Sequence, residues 1–260
     1  PSSVSLNGLH MSAAKSDAYE GDGAFCCVGA LYGAILSFES CDMTSATALS
    51  VLQIGEQSQV RASGCCIHGG QGGGVFIHEG KAILENNDIH SNVEAGVKVT
   101  EGEAVLVNNT IRDGHKCGVI ICDSSKATLV NNTIVNNDQD GIILQEQASA
   151  ALAGNTIKGN GLCKVVWTEE DFEARWDEDD IAHYRAVHSA NGYPGVRVLE
   201  NSIVNMVGGS NSIEGNGRAA NAEQVCVDGS SKAGSEWRQS FDGPDGLQIR
   251  ECVLALATLI

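Results

Sequence analysis

The sequence predicts an all-β fold, a solenoid in which short parallel strands coil into a β-helix. Three observations predict it: a repeat of 22 to 23 residues, apolar residues that alternate within each repeat, and Gly and Asn at fixed points of the repeat. No repeat leaves room for an ordinary helix of about ten or more residues. Three short strands per repeat, stacked at about 4.8 Å on those of the next repeat, satisfy the pattern.

Four consecutive segments carry the repeat most clearly, and they begin at Gly74, Gly96, Gly118 and Gly141. Each reads G-(V/I)-x-(V/I/L), then A-x-L, then N-x-I. Because alternate residues of a strand point to one side, the apolar positions are predicted to form columns inside the coil. One such column is Leu84, Leu106, Leu129 and Leu152.

The repeated asparagine is predicted to stack at one bend of the coil with its side chain directed inward. An Asn side chain carries both a donor and an acceptor, so it can bond the turn backbone and the Asn of the next coil. Asn also tolerates the left-handed backbone conformation that such bends need. The predicted ladder consists of Asn87, Asn109, Asn132 and Asn155.

The repeat divides the chain into three parts. Coils are expected over residues 1–160, with regular repeats at about 52–160, and again over 195–260, where a long loop is expected at 229–246. Residues 161–194 interrupt the repeat with a dense run of carboxylates and with Trp167, Phe172 and Trp176. Phe172 and Trp176 are four residues apart, and Ile181 and Tyr184 are three apart, which predicts a helical insertion there. A disordered acidic loop is the alternative.

Charge and cysteine usage exclude several classes of protein. Sixteen basic and 33 acidic residues give a net charge of −17, which disfavours binding to nucleic acids and to anionic membranes. The sequence contains no apolar run of about 18 residues, so no membrane span is expected. Its ten cysteines lack zinc-site spacing. We interpret them as mostly reduced thiols rather than disulfides, which favours an intracellular protein over a secreted one.

The G-(V/I)-x-(V/I) and N-x-I-x-x-N elements resemble the right-handed parallel β-helix superfamily that includes pectate lyases. The similarity is greatest to the short-coil branch with CASH or NosD-type repeats, which also occurs in F-box β-helix proteins. The resemblance implies the fold, but this superfamily contains hydrolases, lyases, epimerases, adhesins and interaction scaffolds. The sequence lacks the G-H-G and R-I-K elements of the hydrolases and the D-P-H element of the alginate epimerases.

Candidate catalytic residues lie on the bends that precede the repeated glycines. His115 and Asp138 occupy equivalent positions on adjacent coils, so they are expected about 5 Å apart and within reach of a hydrogen bond. With Lys116 they resemble a sparse sugar or cation site. Solvated turn residues are the simpler interpretation. The candidate set is Asp113, His115, Asp138 and Asp140.

A candidate binding surface lies on the outward side of the first strand of each repeat. Phe76, Lys98, Ile120 and Ile143 form one outward column, and His78 begins the column beside it. Three apolar members in an outward column indicate cover, either by the acidic insertion or by a partner chain. No metal site and no cofactor are expected, because neither His68 nor His78 has a third ligand at suitable spacing.

Two functions remain open at this stage. The first is a non-catalytic scaffold that binds a protein or glycan along its solenoid face, as a single chain or as a subunit of a larger assembly. The second is a lyase, epimerase or hydrolase that acts on polysaccharides. Missing catalytic elements favour the scaffold. An enzyme requires its carboxylates to converge on an open groove with perturbed pKa values, whereas a scaffold leaves them dispersed.

Overall fold

The computed structural model describes residues 3–13, 26–46, 49–162, 193–207, 211–217, 224–227 and 229–234. Every regular element in these residues is a strand, and the strands pair in parallel. The chain passes through one strand of each of three sheets and then begins the next coil. This arrangement confirms the predicted all-β parallel β-helix.

Sheet A contains the strands that carry the A-x-L element in the four clear repeats and the equivalent strands of the other coils. They are β1 (Ser3–Asn7), β4 (Ile35–Glu39), β7 (Gln59–Ser63), β10 (Lys81–Glu85), β13 (Glu103–Val107), β16 (Lys126–Val130), β19 (Ser149–Ala153), β22 (Ile203–Met206) and β25 (Lys232–Gly234).

Sheet B contains the strands that carry the N-x-I element in the clear repeats and the equivalent strands of the other coils. They are β2 (His10–Ala13), β5 (Asp42–Ser45), β8 (Cys66–His68), β11 (Asp88–His90), β14 (Thr110–Arg112), β17 (Thr133–Val135), β20 (Thr156–Lys158) and β23 (Ser212–Glu214).

Sheet C contains the strands that follow the repeated glycine in the clear repeats and the equivalent strands of the other coils. They are β3 (Val28–Ala30), β6 (Leu52–Ile54), β9 (Val75–His78), β12 (Val97–Thr100), β15 (Val119–Cys122), β18 (Ile142–Leu144), β21 (Val196–Val198) and β24 (Val225–Val227).

The interior columns are confirmed by the strand register. Leu84, Leu106, Leu129 and Leu152 are in direct register and fully buried. The repeat extends upstream as well, because Met43 pairs with Ile67, which in turn pairs with Ile89. Burial of these aliphatic columns is the main contribution to stability, at about 25 cal/mol per Å² of apolar surface.

The predicted asparagine ladder is present at the corner between sheets A and B. The Asn109 amide donates to Asn132 Oδ1 at 3.0 Å, and the Asn132 amide donates to Asn155 Oδ1 at the same distance. Each amide also donates to the last interior carbonyl of the preceding coil, as from Asn132 to Leu106 at 2.8 Å. The ladder continues to Asn211.

The sequence predicts a left-handed backbone conformation at the ladder asparagine. In the structure the residue before it adopts that conformation instead. Asn86, Asn108 and Asn131 have φ values of 55°, 55° and 53°, and the equivalent Gly154 has a φ of 64°. These residues turn the exposed backbone, which frees the following Asn to point inward. The two functions predicted for one Asn are therefore divided between two neighbours.

The repeated glycine is explained by close packing between coils. A Cβ atom on Gly118 would lie 2.5 Å from Ile134 Cγ2 and 2.6 Å from the carbonyl oxygen of Gly141. Real Cβ atoms essentially never approach other atoms so closely. Any larger residue at Gly118 would push two coils apart.

Several predicted features fall partly or wholly outside the described residues. Residues 163–192 of the acidic segment lie outside the described residues, and the expected helix and its aromatic residues lie there.

The expected loop at 229–246 contains a strand in its described part, because Lys232–Gly234 forms β25 and pairs with β22. β22 pairs with β19 on its other side, so this short segment pairs backbone groups that would otherwise form a sheet edge. In the described ranges no helix is long and apolar enough to cross a membrane.

Candidate functional site

The expected contact between His115 and Asp138 is present. His115 Nδ1 lies 3.2 Å from Asp138 Oδ2, across two stacked turns. Both side chains are exposed, at 66% and 42% of their surface. Exposed pairs of this kind contribute little to stability. The pair is therefore open to solvent rather than enclosed in a pocket.

Two neighbouring side chains are each held by their own partner. Lys116 Nζ lies 2.6 Å from Glu94 Oε2 on the preceding coil. Asp113 accepts a hydrogen bond from Arg112 at 2.7 Å. Both contacts lie on the outer surface of the coil.

Asp140 is in a different environment, because it is 1% exposed. Its Oδ1 accepts a hydrogen bond from Arg197 Nε at 2.9 Å. The Arg197 guanidinium lies 5.8 Å from the centre of the Tyr193 ring, and Cys117 Sγ is 4.0 Å from Asp140 Oδ2. Burial raises the pKa of Asp140 to about 6, and Arg197 opposes that rise. Burial also raises the pKa of the Cys117 thiol.

The four candidate catalytic side chains make different contacts. His115 and Asp138 form an exposed pair, Asp113 binds Arg112, and Asp140 is buried with Arg197. Only the pair lies within hydrogen-bonding distance. Acid and base groups of a glycoside hydrolase must face one substrate bond, at about 5 to 10 Å from each other across an open groove. Asp140 is buried and does not face such a groove.

The buried Asp140 predicts a pH dependence of stability. Its folded pKa of about 6 lies above that of an unfolded Asp, so the native state binds more protons between these values. The unfolding free energy should therefore fall, by about 3 kcal/mol at most, as pH rises from about 4 to about 7. Asp140→Asn should remove this part of the profile. Thermal melts across that range measure it, with Asp138→Asn as the control. Identical profiles for wild type and Asp140→Asn would contradict the assignment.

The outward column on sheet C has the predicted register. Phe76 pairs with Lys98, Lys98 with Ile120, and Ile120 with Ile143. The next residue in the column is Arg197. Together Phe76, Lys98 and Ile120 form what we call the sheet C row.

The outward column is accessible along the sheet C row and buried at Ile143. Lys98 is exposed, and Phe76 and Ile120 are half-buried. Ile143 is only 6% exposed although it points away from the interior. Lys98 Nζ lies 5.8 Å above the Phe76 ring, and that ring stacks on His78 at 6.1 Å.

A cluster that the sequence analysis missed lies on the outer face of sheet B. Six polar side chains from neighbouring strands meet there, and we call them the sheet B cluster: His10, Asp42, Cys66, His68, Asp88 and His90. Asp42 accepts contacts from two imidazoles, at 2.9 Å from His10 Nδ1 and 2.9 Å from His68 Nε2.

The second half of the sheet B cluster is built around Cys66. Its Sγ lies 3.5 Å from His90 Nε2. The His90 ring stacks on that of His68, with 5.0 Å between centroids and 9° between planes. Arg112 binds Asp88 through two hydrogen bonds of 3.0 and 2.7 Å.

The electrostatics of the sheet B cluster follow from these contacts. Hydrogen bonding to His10 lowers the pKa of Asp42. Burial raises the pKa of the Cys66 thiol, and the carboxylates of Asp42 and Asp88 raise it further. Burial lowers the pKa of His90.

A signal for the sheet B cluster was present in the sequence. Aligning Met43, Ile67 and Ile89 as one interior column places Asp42, Cys66 and Asp88 in the column beside it. The same register sets His68 against His90. We predicted no third ligand for His68 because none lies at suitable spacing along the chain. Stacking of neighbouring coils nevertheless brings Asp42 next to Cys66 and His68.

Comparison with known proteins identifies the fold. A family model described as "Right handed beta helix region" matches residues 50–225. The crystal structure of pectate lyase Pel9A aligns with a TM-score of 0.51 and 13% identity, over 87% of this chain and 59% of that chain. The present chain therefore spans less than two thirds of that protein.

Two further solved structures align less well. They are the A-modules of the Azotobacter vinelandii mannuronan C-5 epimerases AlgE6 and AlgE4, with TM-scores of 0.40 and 0.35. Identity is 14% and 13%, and coverage is 80% and 90% of this chain and 69% and 79% of theirs. No curated protein matches the sequence. At these identities the likeness concerns the fold alone.

Proposed function

The chain belongs to the right-handed β-helix family, and we propose that it is a non-catalytic scaffold that binds a partner protein on the outer face of sheet C. The observation that carries the proposal is the sheet C row, which presents Phe76 and Ile120 to solvent on a rigid sheet. Apolar side chains in an open row contribute to binding when a partner removes them from water.

A protein partner fits this surface better than a glycan. Sugar rings bind to a free aromatic face, but the Phe76 ring already stacks on His78 and has the Lys98 ammonium above it. The other apolar members of the column are aliphatic. Aliphatic side chains beside one lysine suit an apolar peptide segment that carries a carboxylate next to it.

The net charge of −17 narrows the class of partner further. Its long-range field repels polyanions, so acidic polysaccharides approach this chain poorly. The same field speeds association with a partner of positive net charge. We therefore expect a partner protein that is basic overall, and the β-helix would be one subunit of the resulting complex.

The polysaccharide-acting alternative depends on Asp140, since this is the candidate catalytic residue whose pKa is raised. Such a shift is typical of a general acid. However, a general acid must reach its substrate, and Asp140 is buried against Arg197. Burial of the Asp140 carboxyl group explains its raised pKa, so the raised pKa does not require a catalytic role.

Selection from a phage-displayed library of random linear peptides tests the proposal. Wild type and Ile120→Asp serve as targets in parallel, and Thr133→Asp places the same charge on the outer face of sheet B as a control. We expect a common apolar motif to be enriched on wild type and on Thr133→Asp but not on Ile120→Asp. Enrichment on all three targets, or on none, would overturn the proposal. Circular dichroism melts establish that each variant is folded.

A further inference from the structure

The sheet B cluster contains the residue types that bind transition metals, brought together from four coils. Cys66 lies between Asp42 and Asp88 in one outward column, because β8 pairs with both β5 and β11. His68 lies beside Cys66 on the same strand, with His90 stacked against it. The cluster combines a thiol, imidazoles and carboxylates on a rigid sheet.

The distances within the cluster suit a single ion. One ligand atom each from Asp42, Cys66 and His68 lie within 4.8 Å of one another. Ligand atoms around tetrahedral zinc are separated by about 3.2 to 3.8 Å, given bonds of about 2.0 to 2.3 Å. Small side-chain rotations would therefore bring the three atoms onto one ion.

A second set of ligands shares the same thiol, and the contacts distinguish between the two. Cys66, Asp88 and His90 also lie within 4.8 Å of one another. However, Arg112 binds both oxygens of Asp88, and a metal would have to displace that guanidinium. The partners of Asp42 are His68, itself a ligand, and the exposed His10.

We propose that the outer face of sheet B binds one divalent transition-metal ion of the zinc class through Cys66 Sγ, a ring nitrogen of His68 and the Asp42 carboxylate. Thiolate and imidazole ligands select zinc-like ions over Mg²⁺ and Ca²⁺, which prefer oxygen ligands. Three protein ligands leave the fourth position to water or to a ligand atom from a partner. His90, 3.5 Å from Cys66 Sγ, would donate a hydrogen bond to the thiolate and orient it.

Cobalt titration of the reduced, metal-free protein tests the site directly. Co²⁺ bound to a thiolate gives a charge-transfer band in the near ultraviolet and d–d bands in the visible. We expect one equivalent of Co²⁺ to produce both, and Zn²⁺ to displace it. Cys66→Ser should abolish the charge-transfer band. His68→Gln and Asp42→Asn should each weaken binding at least about tenfold.

Two matched variants separate this site from the other thiols. Cys122 lies near Asp123 and Glu146 in another group of possible ligands, so Cys122→Ser should leave the cobalt spectrum unchanged. His90→Gln should retain one equivalent of Co²⁺. No thiolate band in wild type, a band that survives in Cys66→Ser, or a band lost in Cys122→Ser would overturn the proposal. Unchanged circular dichroism spectra show that each variant is folded.

Discussion

Leu106→Asp should abolish soluble expression of the protein. Leu106 is fully buried between Leu84 and Leu129 in the interior of sheet A. Removing a buried leucine costs about 2 to 5 kcal/mol, and a carboxyl group unpaired among leucines adds several kcal/mol. This sum is comparable with the whole stability of a typical domain, about 5 to 15 kcal/mol.

The soluble fraction on expression, followed by thermal melts of any soluble material, measures this effect. Lys126→Asp is the control, because Lys126 is exposed at the start of the neighbouring strand β16. We expect Lys126→Asp to remain soluble. Folded, soluble Leu106→Asp with an unchanged melting curve would mean that the leucine column faces solvent.

Asn132→Ala should destabilise the β-helix by about 3 to 6 kcal/mol. Its side chain makes four hydrogen bonds: it donates to Asn155 Oδ1 and to the Leu106 carbonyl, and it accepts from the backbone and side-chain amides of Asn109. The substitution leaves buried donors and an acceptor without partners, at about 1 to 3 kcal/mol each. Urea denaturation followed by circular dichroism measures the loss.

Asn131→Gly is the matched control for Asn132→Ala. Asn131 is exposed and has a φ of 53°, a conformation that glycine adopts without strain and that Gly154 adopts at the same place in the next coil. We expect a change below about 1 kcal/mol. Equal destabilisation by the two substitutions would show that the corner geometry, rather than the ladder, stabilises the bend.

The fold could be predicted because its stabilising interactions repeat along the sequence. Stacking places each residue on its equivalent in the next coil, so a column such as Leu84, Leu106 and Leu129 follows from alignment alone. The hydrogen bond between His115 and Asp138 was predictable for the same reason. Local alternation, corner chemistry and coil length all indicate one structure, and such agreement between levels is typical of foldable sequences.

Other features depend on contacts that the repeat does not encode. A second buried ladder includes Asn137, Asn160 and Asn216, each donating to the next polar side chain. The N-x-I-x-x-N element places these residues at one repeat position, but Gly114 interrupts it, so the repeat alone does not indicate that their side chains point inward. Arg197 meets Asp140 across the interrupted repeat, so no regular spacing predicts the burial of Asp140.

The candidate sites were less predictable than the fold because they involve departures from the repeat. The outward positions of sheet B carry no apolar pattern, so Asp42, Cys66 and Asp88 differ from one another and from the threonines that continue their column. What unites them is stacking across coils. A search for ligands at the short, fixed separations of a zinc motif does not detect residues that stack from different coils.

The affinity of a selected peptide for wild type and Ile120→Asp, measured by isothermal titration calorimetry, tests most directly whether the sheet C row is a binding surface. Loss of a central apolar contact costs about 2 kcal/mol, so we predict a Kd at least about thirtyfold weaker for Ile120→Asp and an unchanged Kd for Thr133→Asp. Equal Kd values for all three proteins would contradict the scaffold proposal. So would cleavage or epimerisation of a polysaccharide by wild type that is lost in Asp140→Asn.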